Sequence, residues 1–548
     1  MIKRKIITVT SIVMIFILTG MAYSRIQPDT PQPNLLEDVA IDTYEIRVGK
    51  GYTLNFEKEE KEALVRAQEV RETYTVNKGY KKLGTLVITT KELDNGDIFV
   101  YQEMQYKVNK EITVPIEIVI SNADDYDFFK IAEEVKREHD SIFGIDMTTN
   151  VRGLYEFDQE GKLTSNLLLS QNYVSKAMQM EYDNGAISRI RELKEENKEY
   201  TIKPNENGFI IESGLKLLPE ADNSESWLLI SNEKLISEEA TKESYKNETN
   251  HYFVHSTKWQ VSNGNYSKLP WSIEPAAKMG YGRNLITLLD RTALDYYIET
   301  QDRLFYDLVV TSVHNLIKFK GNKNLWETEY TSTWLKDSYG IVAPYVDTRH
   351  NENIALFLTK VGETLGIEEI KDGAINYANF LVQQKQIGNI IETENGYYIA
   401  DYYSENASKK THVSLNHALG EANFLMEVAV KQDDPSYMET ALEIYDAVQD
   451  NANAWIKDDG DIWYQVNGEG EFYGTDYEVL TLGDLAYSMT ILDDHLLLSN
   501  YPTFEMLLLS KLQFVISNNY AIPQLIVDRI TNLGYGKYLE GYEHVLVF

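Results

Sequence analysis

A chain of 548 residues with 52 Lys and Arg against 85 Asp and Glu, a net charge of −33, lacks the basic balance of proteins that hold nucleic acid or dock on anionic lipid. The absence of cysteine excludes disulfides, thiolate metal ligands and a cysteine nucleophile. Such a length predicts roughly two or three domains, and 38 tyrosines against 18 phenylalanines point beyond core packing to surfaces that stack on and hydrogen-bond to sugars.

Residues 1–24 place Lys3, Arg4 and Lys5 ahead of an apolar run from Ile6 to Tyr23. This is the pattern of a signal peptide or a signal-anchor helix. The positive flank stays inside, so the remainder is expected to be exported. It is then anchored in the cell membrane facing outside, or secreted if cleaved after Ser24 in Ala22-Tyr23-Ser24. Residues 25–43, with Pro28, Pro31 and Pro33, read as an extended linker.

Residues 44–265 read as a β-rich region. YEIRVGKGYTLNF, LGTLVITT, ITVPIEIVI and SWLLIS carry β-branched and aromatic residues between turn signals. Two helices are predicted within it or at its turn: KEEKEALVRAQEV, residues 58–70, and DFFKIAEEVKREH, residues 127–139.

From Tyr281 onward the pattern becomes that of amphipathic helices. Three of them begin alike, at Asp347, His412 and Asp476, each with a polar cluster and a carboxylate ahead of an apolar run. Glu352 and Glu421 are 69 residues apart, and Glu421 and Asp484 are 63 apart. That period suits helical hairpins with structured loops. About four of them over residues 266–548 would close into an (α/α) toroid, with clefts at the mouth where inner helices begin. The fold class expected is therefore α+β and multidomain: an N-terminal membrane segment, a β-rich middle and a C-terminal (α/α) toroid.

There is no GxSxG, P-loop or HExxH motif. The nine histidines are scattered, and His412 and His417 have poor spacing for one helical face, so no metal or cofactor is expected. Three groups remain at the mouth. They are Tyr345, Asp347, Arg349, His350 and Glu352; then His412, Asn416, His417 and Glu421; then Glu471, Tyr473, Asp476, Tyr477 and Asp484. Any one carboxylate near a helix start is explained by capping and the helix dipole. Three such polar starts in equivalent places point to a site.

HALGEA, KQDDPSYMETAL, EFYG and LGDLAYS follow one another within residues 416–494. In that order and spacing they resemble the C-terminal domain of D-glucuronyl C5-epimerases. The resemblance implies inversion of C5 of a uronic acid within a polysaccharide. The adjacent carboxylate acidifies the C5 proton; one group removes it and another returns a proton to the opposite face. Tyrosines and a glutamate serve as acid and base, and cations hold the sugar carboxylate. By position, Tyr473 and Glu471 match the family's loop tyrosine and glutamate. The family's later Tyr-Asp-Leu-Arg-His motif is absent from residues 532–548, where Tyr538, Tyr542 and His544 stand instead. YVDTRH, residues 345–350, is similar to it but lies upstream of the loop, which adds Tyr345, Arg349 and His350 to the catalytic candidates. Asp347, His412, Asn416, His417, Glu421, Tyr477 and Asp484 are the expected substrate-binding set. Glu421 replaces the family's helix-start glutamine. Lys409, Lys410, Arg349 and Arg283 are the cations available to a polyuronate.

Two other readings fit the same residues. A glycoside hydrolase would use two of Asp347, Glu421 and Asp484 across a cleft, and a polysaccharide lyase would use Tyr473 with Arg349. A non-catalytic envelope protein would bind glycan on the tyrosines. The expected partners are a polysaccharide and, through the N-terminal segment, a membrane; a homodimer is possible and nucleic acid is not expected.

Overall fold

The computed structural model describes residues 44–133, 139–251, 257–432, 434–542 and 546–547. The expected leader and linker, residues 1–43, and His544 lie outside them. Among the described residues no helix is long and apolar enough to cross a membrane.

The β-rich region contributes fourteen long strands in chain order. They are β1 (Tyr44–Val48), β2 (Tyr52–Leu64), β3 (Ala67–Lys78), β4 (Lys81–Leu93), β5 (Ile98–Tyr106), β6 (Ile112–Ser121) and β7 (Asp125–Lys130). They continue with β8 (Gly153–Gln159), β9 (Lys162–Leu169), β10 (Asn172–Glu181), β11 (Ile187–Asn197), β12 (Thr201–Asn205), β13 (Gly208–Leu217) and β14 (Asn223–Ser231). One sheet has the order β1-β6-β13-β12. A larger one runs β11-β10-β14-β5-β4-β3-β2 and is extended past β11 by the strands Gly280–Gly282, Gly264–Lys268 and Trp259–Val261. The sheet thus continues beyond residue 265, and the boundary with the helices lies later than the sequence suggested. In β6 the alternation holds as written: Val114, Ile116, Ile118 and Ile120 are buried, meeting Leu86, Ile88 and Val100.

The first predicted helix in this region is a strand hairpin, and the second begins as a strand. Residues 58–70 form the end of β2, a turn in which Arg66 takes a positive φ of 58°, and the start of β3. Twelve residue pairs hold that hairpin in register, and β3 is paired in turn with β4. Pairing along the whole length overrides the helix-forming Lys, Glu and Ala. Residues 127–130 belong to β7, and 134–138 lie outside the described residues.

The helices are α1 (Glu239–His251), α2 (Arg291–Thr300), α3 (Arg303–Lys320), α4 (Thr333–Tyr339), α5 (Thr348–Leu365) and α6 (Asp372–Gln386). Then come α7 (Leu415–Lys431), α8 (Pro435–Asp450), α9 (Ala452–Trp455), α10 (Leu480–Asp494), α11 (Thr503–Ser517) and α12 (Gln524–Asn532). Helices α5, α7, α10 and α12 pack side by side in that order, and α6, α8 and α11 return outside them. The three predicted inner helices are these. The contacts between neighbouring hairpins trace an arc from α5 to α12. Helix α3 joins the arc to the large sheet: Leu304, Phe305 and Leu308 share a core with Phe99, Tyr101 and Trp227 and with Ile354, Phe357 and Leu358 of α5.

Candidate active site

Two small sheets sit where the inner helices begin. Tyr345–Asp347 pairs with Glu327–Thr328 and Tyr402–Tyr403 just ahead of α5. Val413–Ser414 pairs with Trp463–Val466, which pairs with Phe472–Thr475, just ahead of α7. Asp347 caps α5, accepting a hydrogen bond from the His350 backbone N–H at 3.0 Å. Ser414 precedes α7, but its hydroxyl and its backbone N–H are both given to Asp401.

Asp401 is the centre of the site. Its buried carboxylate accepts from the Ser414 backbone N–H at 2.9 and 3.1 Å, and from the Ser414 hydroxyl. It faces His412 Nε2 at 3.1 Å and His417 Nδ1 at 3.7 Å. Burial alone would raise its pKa. The two imidazoles and the Ser414 donors outweigh burial and hold it below the usual carboxylate range. His417 is buried too, and burial pulls its pKa down despite Asp401. Its Nδ1 lies 2.8 Å from Thr348 Oγ1.

The far side of His412 reaches a phenol: Nδ1 is 3.2 Å from Tyr339 Oη. With a carboxylate on Nε2, the tautomer that serves both neighbours carries its proton on Nε2 and accepts at Nδ1. The Tyr473 phenol stands beside that of Tyr339. Burial, and next that phenol, push the Tyr339 pKa above its ordinary value. Asp401, His412, Tyr339 and Tyr473 therefore form one chain from the interior to the surface.

The surface end is aromatic. Trp334 is 40% exposed, Tyr473 38% and Tyr477 52%. Trp334 stands edge-on to His412 at 5.2 Å and to Tyr339 at 5.9 Å. Tyr464 is edge-on to Tyr477 at 5.8 Å, and Tyr402 to Tyr345 at 5.9 Å. The exposed Lys409 places its ammonium 5.4 Å from the Tyr339 ring centroid.

Deeper in the arc lies a second polar group. Arg349 binds Asp484 through both carboxylate oxygens at 2.8 and 3.1 Å, Glu352 at 3.0 and 3.1 Å, and the Asn416 carbonyl at 3.2 Å. A side chain at Gly420 would run into Arg349 and Glu352, so the glycine of HALGEA is what lets α7 pass this ion cluster. Burial, only partly offset by Arg349, raises Glu352 to about 7 and also raises Asp484. Glu421 is fully buried, and burial, then Asp401, lift its pKa well above its ordinary value.

The sequence-derived residues divide accordingly. Tyr473, Asp347, His412, His417 and Tyr477 meet at or just beneath the mouth, with Tyr345 buried under Tyr402 and His350 Nδ1 3.6 Å from Asp347. Arg349 is no free cation for a sugar carboxylate; with Glu352, Asp484 and the Asn416 carbonyl it is a saturated scaffold. Glu471 sits on the exposed turn before Tyr473, accepting from Asn467 Nδ2 at 2.9 Å, and does not join the network. Arg283 pairs with Glu329 at 2.6 and 3.0 Å, and Lys410 donates to the Ile390 carbonyl at 2.9 Å. Asp401, Tyr339, Trp334, Tyr402 and Tyr464 were missed. Their signature was aromatic residues in the short helix α4 and in the short strands ahead of the inner helices: WLKDSYG, ADYYS and WYQ. Among the described residues no group of His, Asp and Glu is arranged to hold a metal.

No known family model matches the chain, and neither does any curated protein. Solved structures do match, at low similarity. A D-mannose isomerase shares 16% identity over 44% of this chain, with a TM-score of 0.28, and this chain spans 60% of its length. A cellobiose 2-epimerase from Bacillus thermoamylovorans shares 12% over 52% of this chain and 71% of its own, with a TM-score of 0.36. A family 76 glycoside hydrolase from a bovine Bacteroides thetaiotaomicron strain shares 12% over 73% of this chain and 79% of its own, with a TM-score of 0.35. These neighbours are carbohydrate-active proteins, too distant for any residue-by-residue transfer, and the likeness to glucuronyl C5-epimerases read from the sequence stays a resemblance.

Proposed function

We propose that this chain is an exported carbohydrate-active enzyme that moves a proton at a ring carbon of a sugar, and that its substrate is a uronic acid in a polysaccharide, inverted at C5. The observation that carries this reading is the chain Asp401–His412–Tyr339–Tyr473 opening onto an aromatic rim. Aromatic faces hold sugar rings. A phenol with a raised pKa is a poor base alone, and His412 backed by Asp401 is the partner that takes its proton. Tyr339 then accepts the C5 proton, and a phenol across the mouth, Tyr464 or Tyr477, returns one to the opposite face. Lys409 beside Tyr339 supplies the cation for the sugar carboxylate.

A hydrolase on this arc has less support. Asp484 is committed to Arg349 and Glu421 is fully buried, which leaves Asp347 alone of the three candidate carboxylates.

Incubation of the soluble portion with uronate polymers in D₂O tests the proposal. Deuterium at C5 without chain cleavage supports it, and Tyr339→Phe should abolish that exchange. New reducing ends or unsaturated products would make the chain a hydrolase or a lyase. Binding with neither exchange nor cleavage would make it a glycan receptor.

A further inference from the structure

A second exposed indole lies on the β-rich side. Trp271 is 44% exposed, and its backbone N–H donates to the Ile142 carbonyl at 2.9 Å. Its ring rests on Gly144, whose φ is +73° and where any Cβ would enter the indole. The His139 ring stacks beside it at 6.5 Å, and the Lys268 ammonium stands 5.4 Å from its centroid. The indole is thus held by three neighbours, and it lines a cleft of about 800 Å³.

The charge lining that cleft differs from that of the chain. Lys194, Lys198 and Lys278 face Glu195 and Glu196 there, three cations to two anions, whereas the whole sequence has 52 cations to 85 anions. Both glutamates are already engaged. Glu195 binds Lys216 at 2.7 Å, and Glu196 accepts from the Thr149 backbone N–H and hydroxyl at 2.7 and 2.9 Å. Lys194 and Lys198 pair with Glu192 and Glu196, at 2.8 and 3.3 Å. Among the described residues no acid lies within ion-pairing distance of the exposed Lys278. The cleft therefore offers a flat apolar face and one uncommitted cation.

It is also tied to the mouth. The Ser272 carbonyl accepts from the Thr333 backbone N–H at 3.0 Å, and Ile273 pairs with Ser332. Thr333 opens α4, which carries Trp334 and Tyr339. One exposed indole thus comes one residue before that hydrogen bond, and the other one residue after it.

We infer that the Trp271 cleft is a second glycan subsite, which takes a uronate unit with its ring on Trp271 and its carboxylate on Lys278, and holds a polymer whose other end lies in the mouth. Its ligand class rests on the function proposed above, but its binding is measurable without turnover. The test is calorimetric titration of the full chain with glucuronate oligomers of increasing length, and with a neutral β-glucan of matched length. Trp271→Ala should weaken long oligomers about tenfold and leave disaccharides unaffected. Lys278→Gln, on an exposed side chain that folding does not need, should weaken them several-fold and reduce the salt dependence. Wild-type affinity in both variants, or a neutral glucan bound as tightly as the uronate, would overturn the subsite. Trp271-dependent binding with no C5 exchange leaves the subsite standing and removes the proposed reaction; exchange with Trp271-independent binding does the reverse.

Discussion

Two buried networks of ionisable groups, one at the junction of sheet and helices and one under the mouth, look alike by burial and differ in access. At the junction Lys91 is fully buried, 4.0 Å from Glu69 and 5.1 Å from the Tyr101 ring centroid, and burial lowers its pKa to about 7. His314, its Nε2 2.6 Å from the Val65 carbonyl, is driven down by burial to about 3. Lys318 pairs with Glu69. Burial perturbs these groups strongly, as it does those near the mouth, yet the groups lie between β3, β4 and α3. Under the mouth, Asp401 and His412 are equally buried, but Tyr339 and Tyr473 carry the network to a half-exposed aromatic surface. A perturbed group marks a candidate; a path to solvent through neighbouring polar groups separates chemistry from packing.

Four perturbations break or sharpen this contrast. The largest effect is expected for Asp401→Asn, which removes the charge that orients His412; by analogy with catalytic triads, C5 exchange should fall about 10³–10⁴-fold. A melting curve run alongside would separate that loss from unfolding, and a fold-reduced but otherwise active enzyme would remove Asp401 from the relay. Gly420→Ala comes next. Its methyl overlaps Arg349 and Glu352, and denaturant titration should show a loss of about 2–4 kcal/mol.

The third concerns pH. His417 has a lowered pKa, so its contribution to stability is complete above its ordinary value near 6.5 and is lost as pH falls through the depressed folded value. Glu352, raised to about 7, acts oppositely: its contribution is complete below the ordinary carboxylate range and is lost as pH rises toward 7. In His417→Asn only the second remains, so lowering the pH from 7 to 5 should raise the melting temperature of the variant relative to its change in the parent. The smallest effect is expected for Lys91→Met. Glu69 keeps Lys318, so stability should change by about 1 kcal/mol or less, with exchange untouched.

Much of the helical half was legible because its apolar period is long and its caps are explicit: Asp347 ahead of α5 both predicted and makes the cap. The polar starts were legible as well, but not their use. Glu352 and Asp484 look like site carboxylates in sequence, and only the fold shows Arg349 consuming both. Asp401 and Tyr339 were invisible because one lies between two short strands and the other ends the short helix α4, 62 residues earlier, and nothing local marks either as a site residue. In the β-rich half, Lys58–Val70 misled because its composition favours a helix in isolation, whereas its partner strands are supplied by residues farther along the chain.

That same segment has a consequence at the periphery. Strand β2 ends the large sheet, and its outer rim presents Glu57, Lys58, Glu59, Glu60, Lys61 and Glu62, all solvent-facing. A second copy sliding alongside would meet a picket of mostly negative charge, so the longest free margin of the protein is fenced against self-assembly.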